Sequence, residues 1–182
     1  MKIIHRPFEG CFVLEPTVFE DARGFFYEFY NKRTFERVTG LQVDFVQDNL
    51  AESGKNVFRG MHFQKPPYQQ AKLISVIEGK ILDVITDIRP GSPTFGLWYA
   101  VELSEQNHLQ LFIPKGFAHG YLVLSDRAKV FYKTDEFYRP EYDSGFRFDD
   151  PRVGIRLPVP REKLILSEKD KHLPSFDEIV RP

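Results

Sequence analysis

The sequence predicts an all-β chain folded as a β-sandwich or jelly roll. Three observations carry this. Short stretches rich in Val, Ile, Phe and Tyr recur at near-regular spacing, punctuated by Gly, Pro and Asp. Helix signals are almost absent. Eighteen Phe and eight Tyr against two Met supply flat side chains for a core, or for the lining of a pocket. With 182 residues, 42% of them hydrophobic, the chain suits one domain spanning 1–182.

Residues 10–15 form a short strand stopped by Pro16. Residues 18–21 lead into the turn Asp21-Ala22-Arg23-Gly24. Residues 25–30 form an aromatic strand, too apolar to stand at a free edge without inviting association. Asn31 can cap a short helix over Lys32–Thr39, and Gly40 can close it. In 42–49, Val43, Phe45 and Gln47 alternate with Asp44, Val46 and Asp48, as in a strand. Lys65-Pro66-Pro67-Tyr68 breaks the chain. Stretches 71–77 and 80–88 read as two strands joined at Glu78-Gly79, and Pro90-Gly91-Ser92-Pro93 as a turn. Strands follow at 97–103, 109–113, 121–124 and, past a turn at Asp126, 128–133. Beyond Tyr138 strand signals weaken, and Ser167 is spaced to cap a last short helix containing Asp170.

The most chemistry lies in Val57-Phe58-Arg59-Gly60-Met61-His62-Phe63-Gln64, read as a strand. Val57, Arg59, Met61 and Phe63 form one alternating set, and Phe58, Gly60, His62 and Gln64 the other. On that reading His62 and Gln64 flank a residue with no side chain, where something can approach the backbone closely. An imidazole beside an open floor, with Arg59 at the margin, suits an anionic ligand with a proton to lose. The same octamer also suits a buried histidine hydrogen-bonded to backbone. A second loaded stretch, Ile113-Pro114-Lys115-Gly116-Phe117-Ala118-His119-Gly120, is a tight turn that delivers His119 into the next strand. It resembles the second motif of the cupin jelly-roll superfamily. Metal-dependent cupins supply His-x-His and a glutamate from their first motif, whereas the matching segment here is His62-Phe63-Gln64. Two histidines without a third ligand make a poor divalent site, so no metal is expected.

A net charge of −1 argues against general nucleic-acid affinity, so any anion must be held by local Arg, Lys and His. One cysteine, Cys11, excludes an internal disulfide and fits a reducing, cytoplasmic setting. The first residues contain no long apolar run, and neither a signal peptide nor a membrane span is expected.

Taken in order, Arg59 to Gln64, Lys72-Leu73, Asp83-Val84, Gly91 to Gly96, Ile113 to Gly120, Val123 to Asp126, Tyr132-Lys133, Asp149-Asp150-Pro151 and Leu166 to Asp170 closely resemble the dTDP-4-dehydrorhamnose 3,5-epimerase family. The resemblance runs from about Phe8 to Lys169-Asp170. It implies a cupin-type jelly roll with a few short peripheral helices, and a dTDP-linked 4-keto-6-deoxyhexose as substrate. It also implies epimerisation through an enolate with no cofactor. Protons on carbons 3 and 5 are acidic because both carbons adjoin the ketone. Inversion needs a base, a cation or donor at the oxyanion, and an acid across the ring. By resemblance His62 is the base, Asp170 its partner, Lys72 the cation and Tyr132 the acid. Arg23 and Arg59 contact the diphosphate. Gln47, Asn49 and His119 surround sugar and phosphates, with Lys169 also in the substrate-binding set. Phe19, Phe26, Glu28 and Tyr138 lie near the thymine. The family is homodimeric with a crossing N-terminal strand, so Arg23 and Phe26 would serve the neighbouring subunit's site.

This chain has Phe63 where the family often has Tyr, Phe148 where it often has Trp, and Thr134-Asp135 after the Tyr-Lys pair. Every proposed catalytic position stays filled. Inversion of carbon 3 alone, a 3,4-ketoisomerase, a metal-dependent cupin and a non-catalytic nucleotide-sugar binder remain the competing readings.

Overall fold

Period-two alternation along the strands builds two facing sheets with buried side chains on both sides of each. The computed structural model describes residues 1–180, so the last two residues of the expected 1–182 unit lie outside the described residues. In chain order the elements are β1 (Lys2–His5), β2 (Phe12–Glu15), β3 (Val18–Asp21), β4 (Gly24–Tyr27), α1 (Lys32–Thr39), β5 (Gln47–Gly54) and β6 (Phe58–Gln64). There follow β7 (Lys72–Glu78), β8 (Lys80–Asp87), β9 (Trp98–Ser104), β10 (Gln110–Ile113), β11 (Phe117–Val123), β12 (Arg127–Thr134), β13 (Asp143–Gly145), α2 (Glu168–Lys171) and α3 (Phe176–Val180). One sheet has the order β1-β2-β10-β7-β12-β5 and the other β13-β6-β11-β8-β9, while β3 and β4 form a separate hairpin. The result is the expected jelly roll, with two sheets face to face rather than a closed barrel.

Ile74 and Val76 of β7 meet Ile81 and Ile85 of β8, Val123 of β11 and Val130 of β12 between the sheets. The alternate residues Leu14, Leu73 and Phe112 face outward and are covered by Phe35 of α1. On the far side of the five-stranded sheet, Met61, Val84 and Leu122 are covered by Phe146, Phe148 and Phe176. Each such side chain, fully buried, contributes about 1.5–3 kcal/mol. The parity of β7 therefore places Lys72 on the inner face with Ile74 and Val76.

Helix α1 forms where its caps predict. Asn31 Oδ1 accepts from the Thr34 N–H at 3.2 Å, and Gly40, at φ 76°, donates its N–H to Glu36 O at 2.8 Å. Other expectations need correction. The strand expected over 42–49 begins at Gln47 and runs to Gly54, because its register is set by β12, which pairs Gln47 with Thr134 and Gly54 with Arg127. The aromatic strand stops at Tyr27. Strands β7 and β8 do not pair with each other; the chain changes sheets at Gly79, where a Cβ would sit 2.1 Å from Arg127 O. Strand β11 starts at Phe117, which puts His119 inside it.

The most consequential correction concerns β6. His62 pairs with His119, and Arg59 with Tyr121, so Gly60 and Met61 together oppose Gly120 alone. This bulge resets the alternation. Arg59 and His62 now share the pocket side, while Phe58 and Met61 face the outer cluster. The gap at Gly60 is filled by β11 itself: a Cβ there would lie 2.5 Å from Gly120 Cα and 2.9 Å from His119 O.

Candidate active site

At one end of the sandwich the inner faces turn polar and line a pocket of about 480 Å³. The five-stranded sheet contributes Arg59, His62 and Gln64 from β6 and His119 and Tyr121 from β11. The six-stranded sheet contributes Gln47 and Asn49 from β5, Lys72 from β7 and Tyr132 from β12. Tyr138, Asp143, Lys169 and Asp170 complete the lining. Since the two sheets face each other, His62 and Tyr132 stand on opposite walls.

His62 Nε2 lies 2.9 Å from Asp170 Oδ1, with the Asp170 side chain 5% exposed. The main-chain N–H of Asp170 donates to the Ser167 hydroxyl at 3.1 Å, as the capping pattern predicts, and leaves the carboxylate for His62. Burial raises the pKa of the Asp170 carboxyl, but the hydrogen bond and charge of His62, with help from Ser167 and the Gly60 backbone, win and hold it below the usual range. His62 Nδ1 has no hydrogen-bond partner among the described residues.

Burial pushes the pKa of the Lys72 ammonium down, and the carboxylates of Asp143 and Asp83 oppose that shift. Burial also raises the Tyr132 phenol, which Arg59 partly offsets, so the phenol keeps its proton at neutral pH. Arg59 Nε donates to Ser53 Oγ at 2.9 Å. Gln47 Nε2 donates to Asn49 Oδ1 at 2.9 Å, and Gln47 Oε1 accepts from the Tyr138 N–H at 3.0 Å. The Tyr138 hydroxyl donates to Asp143 Oδ2 at 2.9 Å, and Lys169 Nζ bonds the same oxygen.

Gln64 occupies the place where a metal cupin would carry its second histidine, and here it is structural. Its Nε2 donates to Tyr68 O at 2.6 Å and Phe137 O at 3.2 Å, while its Oε1 accepts from the Arg139 N–H at 2.5 Å. No group of three or more His, Cys, Asp or Glu side chains among the described residues is arranged to hold a metal ion. No helix among them is long and apolar enough to cross a membrane.

Four predicted substrate residues lie away from this chain's own pocket. Arg23, at the β3–β4 turn, pairs with Asp21 at 2.5 Å. Phe19 and Phe26 face each other across the hairpin and are 63% and 69% exposed. Glu28 accepts from Asn31 Nδ2 at 2.9 Å. Conversely, Tyr121 and Asp143 line the pocket and Asp83 stands behind it against His119, yet none of the three was given a role from sequence. Asp83 carried a usable signal, since it interrupts the inward apolar set Ile81, Asp83, Ile85. Asp143 lay in the stretch where strand signals weaken.

Fold and pocket define a jelly roll with a histidine–carboxylate pair on one wall and a lysine and a tyrosine on the other, groups suited to an enzyme that moves protons. The family model described as dTDP-4-dehydrorhamnose 3,5-epimerase matches residues 5–178, and the chain belongs to that family. It is 50% identical over 181 residues to the dTDP-4-dehydrorhamnose 3,5-epimerase of Escherichia coli K12, covering 100% of this chain and 97% of that protein. A crystal structure of the enzyme from Elizabethkingia anophelis superposes with a TM-score of 0.94 at 47% identity, covering 100% of this chain and 99% of the other. The Legionella pneumophila enzyme, in complex with dTDP-4-keto-L-rhamnose, superposes at 0.93 with 41% identity, covering 100% and 97%.

Proposed function

We propose that the protein inverts carbons 3 and 5 of dTDP-4-dehydro-6-deoxy-D-glucose to give dTDP-4-dehydro-L-rhamnose, a step of dTDP-L-rhamnose biosynthesis. The observation that carries the mechanism is the buried Asp170 carboxylate 2.9 Å from His62 Nε2, across a pocket from Tyr132. His62 takes the proton from a carbon next to the ketone, and the C–H electron pair becomes the enolate. Its negative charge gathers on the carbon-4 oxygen, opposite Lys72. Asp170 stabilises the imidazolium that results. Tyr132 returns a proton to the other face, and solvent restores both groups before the second carbon reacts. Arg59, Gln47, Asn49, His119 and Lys169 hold the sugar and diphosphate, and Tyr138 stacks on the base.

The residues outside the pocket fit a homodimer. The β3–β4 hairpin pairs with no other strand among the described residues, exposes Phe19, Phe25 and Phe26, and carries Arg23 at its tip. Strand β5 is a sheet edge. A hairpin laid on a second copy would cover the aromatic faces and bring Arg23, Phe19, Phe26 and Glu28 to the partner's site. Light scattering at micromolar concentration should give a dimer, and a monomer would overturn this assembly. A nucleotide-linked substrate and a lone buried cysteine support a cytoplasmic location.

The test is product identification by NMR after incubation with dTDP-4-dehydro-6-deoxy-D-glucose. Inversion at both carbons is expected. Inversion at carbon 3 alone would narrow the function to a monoepimerase, and recovery of unchanged sugar would make the chain a binder.

A further inference from the structure

Asp83 is a buried carboxylate that the mechanism above leaves without work. It is fully shielded from solvent, and its Oδ1 lies 2.5 Å from His119 Nε2. Its Oδ2 has no hydrogen-bond partner among the described residues. The other fully shielded carboxylate, Asp87, is held by Arg89, Ser92 and Thr94. Asp83 sits on the inner face between Ile81 and Ile85, where an unbalanced charge is costly. Its field reaches Lys72, Tyr121 and Cys11. Among the described residues Lys72 forms no ion pair with it, and His119 is its one direct side-chain partner.

Counting protons decides what His119 offers the pocket. With Asp83 ionised and His119 neutral, Nε2–H points at the carboxylate, Nδ1 is bare, and the pair buries a net negative charge. One more proton removes that charge. Whether it resides on Nε2, as an ion pair, or on Oδ1, as a neutral pair, the remaining ring hydrogen is on Nδ1. The His119 side chain makes no other hydrogen bond among the described residues, lines the pocket, and lies directly opposite His62 across the β6–β11 pairing. We infer that Asp83 is a positioning residue acting through His119: it fixes the imidazole so that Nδ1–H is presented as a donor to a sugar oxygen beside the carbons that His62 deprotonates. The identity of that oxygen rests on the proposed epimerase function, whereas the placement of the proton does not.

Two experiments test this. In the wild-type protein without ligand, nitrogen-15 NMR of the imidazoles at neutral pH should find His119 Nδ1 protonated, with the resonance assigned by its loss in His119→Gln. A bare Nδ1 would overturn the inference. The second experiment is a double-mutant cycle on the epimerisation. Asp83→Asn should lower kcat by about 10- to 10²-fold, as expected for a displaced oxyanion-type donor. It should cause no further loss when added to His119→Gln. An Asp83→Asn loss that persists undiminished in the His119→Gln background, or wild-type turnover in Asp83→Asn, would overturn it. If the wild type does not invert the sugar at all, the parent function fails, and the NMR measurement still decides where the proton lies. That measurement also stands if Asp83→Asn does not fold.

Discussion

Replacing Asp170 with Asn separates the two jobs this residue has in the structure. The main-chain N–H that Ser167 accepts is unaffected, so α2 should keep its cap. What is lost is the charge facing His62 Nε2 at 2.9 Å, in a site where the Asp170 side chain is 5% exposed. A charge-assisted hydrogen bond of this kind contributes about 1.5–3 kcal/mol. It is strongest once His62 has taken the proton and become imidazolium, so nearly all of it belongs to the transition state. At 1.36 kcal/mol per tenfold, kcat should fall by roughly 10- to 150-fold. KM should change little, because Asp170 is not expected to touch the nucleotide. Steady-state kinetics, with thermal melts to verify the fold, provide the assay. A variant whose kcat stays within about twofold of wild type, or whose KM rises at constant kcat, would show that Asp170 serves the helix cap or the binding surface and not the base.

Three further outcomes are expected. Tyr132→Phe keeps the ring, His62 and Lys72, so deuterium should still enter the sugar from solvent while inversion slows by about 10²-fold or more, and full-speed inversion would move the acid to another group. Prolonged treatment with a chelator should leave turnover intact; loss of activity restored by one divalent metal would contradict the donor set around His62 and His119. The third concerns Asp87. Its burial raises the carboxyl, but Arg89, Ser92 and Thr94 overcome this and lower it from 3.8 to about 2. A depressed acid stabilises the fold above its unfolded pKa and loses that contribution as pH falls through the folded value. Asp87→Asn should therefore cost about 2 kcal/mol at pH 7 and almost nothing near pH 2, read from urea melts at both pH values. A cost independent of pH would refute the assignment.

The sequence made legible whatever local chemistry decides. Asn31 and Gly40 bounded α1 because capping acts within a few residues. His62, Lys72, Tyr132 and Asp170, far apart in the chain, could be named through motif resemblance, and the sheets do bring them into one pocket. Non-local pairing was not legible. Residue 47, not 42, opens β5 because β12 sets the register. Arg59 reaches the side of His62 only because β6 carries one residue more than β11 between their paired positions, a count that alternation within one strand cannot reveal. The burial of Lys72's strand on both faces depends on α1, which covers the outer side of its sheet. Nor could the chain alone show that Arg23, Phe19, Phe26 and Glu28 lie outside its own pocket.

The central claim is that His62 removes protons from both carbons flanking the ketone. Its most direct test is deuterium incorporation, followed by NMR, when wild type and His62→Ala are each incubated with dTDP-4-dehydro-6-deoxy-D-glucose in deuterated water. Wild type should place deuterium at carbons 3 and 5, while His62→Ala should lose exchange at both, by at least the factor of about 10²–10⁴ typical of a missing general base. Exchange at the wild-type rate in the His62→Ala protein would contradict the account.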